Sequence, residues 1–155
     1  MKKLNLMIIL GLILTASASA MADDVADIKA AMEKHFVTFK AGDAAGHIAH
    51  HKAGNSSFGA EGGALTVNNS LEEETAELQA SFDEGYKYDF ELVDLDIAVY
   101  GDTAVVTSLQ TGTVTMPDGT TEKVKNRRTA VVVRDGSEWK EVHNHISEYV
   151  EESTD

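Results

Sequence analysis

The sequence predicts an α+β domain in which N-terminal helices pack on a curved antiparallel sheet and leave a cone-shaped pocket between the layers. Three observations predict it. Apolar residues recur at steps of three and four as far as Phe82, the period of a helix face. From Tyr86 the period becomes two, that of a strand with one buried face. Three short turns, Gly101-Asp102, Pro117-Asp118-Gly119 and Asp135-Gly136, then divide the remainder into four consecutive runs, which makes an antiparallel meander.

Before the domain comes a leader. Lys2 and Lys3 precede an apolar run, Leu6 to Leu14, followed by the small residues Ala16 to Ala20. This is the pattern of a secretory signal peptide, residues 1–20, with cleavage after Ala20 or Ala22. The run is too short to span a bilayer. No Cys follows it, so no lipid anchor is expected, and a periplasmic or secreted protein is. The domain itself is expected over 23–150, with an acidic tail at 151–155. The chain left after the leader, about 135 residues, suits one domain with one core.

The full chain has 13 basic and 26 acidic residues. Loss of Lys2 and Lys3 leaves 11 basic residues and a net charge of −15. Nucleic acids and anionic lipid surfaces need a positive footprint, so neither is expected as a partner once the leader is gone. With no Cys, stability must come from core packing and from oligomerisation rather than from disulfides.

Asp23 or Asp24 is positioned to cap a helix running to about Lys40, with Val25, Ile28, Met32, Phe36 and Phe39 as its apolar stripe and His35 beside that stripe. Ala41-Gly42-Asp43 stops it and caps a short second helix, Ala44 to about His51. Lys52 to Asn69 reads as a glycine-rich loop anchored by Phe58 and Leu65. Ser70 with Glu73 forms a capping box for a third helix, whose Leu71, Thr75, Leu78 and Phe82 share a face and which ends at Gly85. In the first strand the apolar parity shifts between Phe90, Leu92 and Val93, Leu95, Ile97, Val99, the mark of a bulge.

In this order, Gly42-Asp43, then Gly101-Asp102-Thr103-Ala104-Val105-Val106, Arg127-x-Thr129 and Arg134-Asp135-Gly136-x-x-Trp139-Lys140-x-Val142-His143-x-His145-x-Ser147 resemble the SnoaL-like group of the nuclear transport factor 2-like superfamily. The ending is also similar to that of the calcium/calmodulin-dependent kinase II association domain. The resemblance covers essentially the whole chain after the leader. It implies the α+β cone with its pocket and, commonly, a homodimer formed through the outer face of the sheet. Activity is not implied, because the superfamily holds isomerases, cyclases, hydrolases, dehydratases and members that only bind or assemble. Glu141 departs from the apolar residue that the family usually places between Trp139 and His143.

The expected site follows from strand alternation. Trp139, Glu141, His143, His145 and Ser147 fall on one face of the last strand. Trp139, His143, His145, Arg127 and Tyr88 are the candidate ligand-binding residues, Arg127 because a guanidinium fork matches a carboxylate. One of Arg127 and Arg128 must face inward. General acid/base candidates are His35, Asp94 and His143, with Asp96 and Tyr86 available by type. His143 and His145 with Glu141, or His47 with His51 one helical turn on, have spacings that can hold zinc, but HExxH is absent. The first pair reads better as framework histidines, and His47, His50 and His51 as a solvated helix face. No metal and no cofactor are therefore expected. The functional expectation is a small organic ligand in the cone pocket. The alternatives are an isomerase, cyclase or hydrolase with a pocket His or Asp, or a non-catalytic assembly module.

Overall fold

Residues 4–151 are described by a computed structural model, with side chains from residue 23 onward. The expected leader, with its cleavage points, has no described side chains, and the last four residues of the tail lie outside the described residues. Three helices and six strands follow in the order α1 (Leu4–Ala41), α2 (Ala44–Ile48), β1 (His51–Phe58), β2 (Thr66–Asn68), α3 (Leu71–Glu84), β3 (Lys87–Tyr100), β4 (Thr103–Thr115), β5 (Thr121–Asp135) and β6 (Glu138–Glu148). The four-strand meander and the third helix fall where the sequence places them. Ser70 accepts from the Glu73 amide at 3.2 Å, and Gly85 closes α3 with φ 107°.

The sheet is unclosed and mixed, in the order β2-β1-β6-β5-β4-β3. This corrects two expectations. Residues 52–69 hold two strands rather than only a loop, and β1 runs parallel to β6, so the sheet is not wholly antiparallel. The reason is tertiary: His51-Lys52-Ala53-Gly54-Asn55-Ser56-Ser57-Phe58 has little strand propensity, and it is extended because the β6 edge supplies hydrogen-bond partners. The second helix correspondingly ends at Ile48, not near His51. α1 runs unbroken past Asp23 and Asp24, so neither caps it; the Asp24 carboxylate accepts from Arg134 on β5 instead.

One end of the concave face is apolar. Ile28 and Met32 of α1 are fully buried against Ala104, Val106, Ala130, Val132 and Trp139. Burying either side chain is worth about 1.5–3 kcal/mol. Leu92, Leu95, Ile97 and Val99 of β3 also pack here. They reach one face despite their mixed parity because the β3–β4 register shifts between Val93 and Asp96, with Asp94 at φ 52°. This is the bulge expected from the parity change. Gly112 allows close approach of the same two strands, since a Cβ there would lie 1.9 Å from the Asp89 carbonyl oxygen.

Towards the other end the concave face turns polar. Ser108, Gln110, Asn126 and Arg128 are all buried. A second register shift, between Val131 and Val132, decides what β6 contributes. Before it Trp139 and Glu141 face inward. After it the partners are Val131 with His143, Ala130 with Asn144 and Thr129 with His145. Cross-strand partners share a face, so Asn144 turns inward with buried Ala130, and His143 and His145 turn outward with Thr129. The expected single face for Trp139, Glu141, His143 and His145 is thus broken by one inserted residue.

Candidate functional site

The concave face gathers its polar groups under α1 and α2. Arg128 donates to Glu141 at 2.5 Å, with each side chain 2% exposed. Asn144 donates to the other Glu141 oxygen at 2.9 Å. Burial alone would raise the Glu141 carboxyl, but the adjacent Arg128 guanidinium holds it below its ordinary value. Parallel pairing then sets His50 and His51 alongside: the Glu141 amide donates to the His50 carbonyl at 2.9 Å, and His51 is the β1 partner of Glu141.

Four histidines close the cluster. His35 from α1 and His47 from α2 stack with ring centroids 3.7 Å apart, while His50 and His51 lie 4.8 and 5.3 Å from His35. The two stacked rings brace each other's helices. His35 Nδ1 donates to the His47 carbonyl at 3.3 Å, and His47 Nδ1 to the His35 carbonyl at 3.0 Å. His51 Nδ1 donates to Glu74 of α3 at 2.6 Å, and Asn55 and Asn68 bind the same carboxylate. Gly46 lets α2 lie this close to α1, since a Cβ there would sit 2.9 Å from Thr38. Desolvation governs the titration of this group. It pushes His47 and His50 down to about 4 and His35 well below its ordinary value, so these rings are neutral at pH 7. Burial would raise Glu74, yet the His51 hydrogen bond brings it below its ordinary value.

A cleft of about 340 Å³ opens beside the cluster between α1, α2 and the start of β6. Its walls include Lys34, His35, His50, Trp139 and Lys140. Trp139 Nε1 and His50 Nε2 are buried without hydrogen-bond partners. Arg134 covers the Trp139 ring at 4.5 Å and ties it to α1 through Asp24. On the other side of α1 lies a larger groove of about 610 Å³, lined by Met32, Phe36, Val37, Phe90, Leu92 and Leu95 among others.

The sequence-predicted residues separate in this geometry. His35 and Trp139 line the cleft. Tyr88 is on the inner side but two rings removed from His35, stacked on Phe39, which itself stacks on His47. Its hydroxyl engages Ser81 at 2.9 Å. Arg127 is exposed on the outer face and donates to the Glu148 carbonyl at 3.1 Å; Arg128 is the arginine that faces inward. His143 meets Ser56 at 2.9 Å and His145 meets the Phe58 ring, both on the outer face. Asp94 is exposed at the β3 bulge. The expectation of a solvated face for His47, His50 and His51 is corrected: all three are buried.

A family model described as SnoaL-like domain matches residues 28–151. The chain belongs to the SnoaL-like domain family. Similar solved structures of this fold include a Mycobacterium tuberculosis protein of unknown function, at 13% identity, covering 88% of this chain and 78% of that one with a TM-score of 0.73. A nuclear transport factor 2-like family member from Streptomyces avermitilis is 20% identical, covering 84% and 99% of the two chains with a TM-score of 0.72. A Xanthomonas campestris protein likened to the calcium/calmodulin-dependent kinase II association domain is 16% identical, covering 80% and 86% with a TM-score of 0.65. No curated protein matches. At these identities the structures share the SnoaL-like fold with this chain, and the buried histidine cluster rests on this chain's own residues. Sequence reasoning had one signal for it: Glu141, a charge on an inward position of the SnoaL-like last strand, requires a buried partner.

Proposed function

We propose that this SnoaL-like protein is exported, to the periplasm or beyond the cell, and binds a small organic molecule in the cleft beside α1. One observation carries the reading. Trp139 Nε1 and His50 Nε2 are buried and unpartnered on residues that line a cleft of about 340 Å³. Orphaned polar atoms cost about 1–3 kcal/mol each, and a ligand with an acceptor for the indole N–H removes that cost. The volume lies at the lower end of ligand pockets, about 300–1,000 Å³. Charges of both signs line it, Asp27 and Lys34 from α1 and the ion-paired Glu138 and Lys140 from β6, and suit a polar, compact ligand.

The protein acts as a homodimer through the outer sheet face. Val105, Leu109 and Val131 are only half-buried there, and Tyr100 is 69% exposed. Acid/base turnover in the same cleft has weaker support. His143 and Asp94 lie away from it, and desolvation makes His35 a poor base at pH 7.

Native mass spectrometry of protein purified from a periplasmic fraction tests the reading. The expected result is a dimer lacking the first 20 or 22 residues and carrying one small organic adduct per chain. Trp139→Phe, which keeps the ring and deletes the N–H, should lose the adduct without loss of helical signal. A bare chain in every preparation, or an adduct retained by Trp139→Phe, refutes cleft binding.

A further inference from the structure

We propose that His35, His47 and His51 form a binding site for a divalent first-row transition-metal ion, zinc above all. A ring nitrogen from each lies within 4.8 Å of the other two. The three come from α1, α2 and β1, so the convergence is a product of the tertiary fold.

The orientation of each ring carries the argument. A backbone carbonyl only accepts, so the Nδ1 atoms of His35 and His47 must bear their protons. His51 likewise presents Nδ1 to the Glu74 carboxylate. With Nδ1 engaged in all three rings, Nε2 is the nitrogen left for a metal, and among the described residues no hydrogen bond uses the Nε2 of any of the three. Metal-bound histidines show the same arrangement, one nitrogen on the ion and the other donating to a carbonyl or carboxylate.

Charge and shape agree. Glu74 and Glu141 flank the cluster with Arg128, one net negative charge, so a cation offsets it. Nitrogens bound to tetrahedral zinc at about 2.0–2.1 Å sit about 3.4 Å apart. Ring nitrogens up to 4.8 Å apart must each move by about 1 Å to reach that spacing. His50, its ring tilted against His35 at 4.8 Å between centroids and its buried Nε2 unpartnered, is a candidate fourth ligand. Imidazole-only sites favour zinc, copper and nickel over magnesium or calcium.

The test uses the untagged full chain, stripped with chelator and titrated with zinc alone by calorimetry, then with cobalt alone by visible absorption. One ion per chain is expected, with the intense d–d bands of a tetrahedral cobalt site. His47→Gln should weaken binding at least about 100-fold. Glu74→Gln, which leaves every proposed ligand in place and only loosens His51, should weaken it about 10–100-fold. This second variant decides the matter if His47→Gln does not fold. His143→Ala with His145→Ala removes the outer-face pair and should change affinity less than twofold. Absence of saturable zinc binding overturns the proposal. So does binding that survives both His47→Gln and Glu74→Gln, or that disappears with the outer-face pair.

Discussion

Replacing Glu141 by Gln deletes one charge of a pair in which both side chains are 2% exposed. The Arg128 guanidinium would remain in place, held by packing against Met32 and the Phe36 ring, with no carboxylate within reach among the described residues. Removing one partner of a buried ion pair costs about 3–5 kcal/mol, because the other charge is stranded away from water. For a domain of this size each kcal/mol shifts Tm by roughly 3–5 °C, so Glu141→Gln should lower Tm by about 10–25 °C. Urea unfolding followed by circular dichroism gives the free energy directly, with an unchanged m-value showing that the same surface is exposed. The double variant Arg128→Met with Glu141→Leu separates the two contributions. It removes both charges, and should recover most of the loss, since an apolar pair of similar volume is often neutral or better. A loss below about 1 kcal/mol in Glu141→Gln, or a double variant no better than the single, would refute a desolvated Arg128–Glu141 pair.

The histidine cluster makes the metal-free protein acid-sensitive. His47 and His50 titrate at about 4 when folded and near 6.5 when unfolded. Below pH 6.5 the unfolded chain therefore binds protons that the native state refuses, and stability falls as pH drops from 6.5 towards 4. Each ring contributes about 3 kcal/mol over that window, and unfolding free energies that are flat from pH 7 to 5 would contradict it. Asp94→Gly should leave cleft binding unchanged and hold or raise stability by up to about 1 kcal/mol, whereas Asp94→Val should destabilise by about 1–2 kcal/mol, read by urea denaturation, because φ 52° suits glycine and not a branched side chain. Ser70→Ala removes the α3 cap and should cost about 1 kcal/mol by the same assay.

The sequence by itself determined the α+β class, the third helix with both caps, the β3–β6 meander and the β3 bulge. Each rests on a local signal: a period, a capping pair, a turn dipeptide, or the parity change from Leu92 to Leu95. The bulge in β6 left the same kind of trace, since Trp139 and Ile146 differ in parity. It went unread because His143 and His145 continue the alternation that begins at Trp139 and Glu141. That one inserted residue sends both histidines outward and leaves Glu141 inside. Only the tertiary structure decided the rest. Pairing of β1 with β6 is parallel and joins residues about 90 positions apart, and β1 has no apolar alternation to announce it. Through that pairing His50 and His51 come beside Glu141, while α2 folds back on α1 to stack His47 on His35. A histidine carries the same letter on a solvated helix and in a dry cluster. Burial separates the two, and burial here is set by chain segments far apart in sequence.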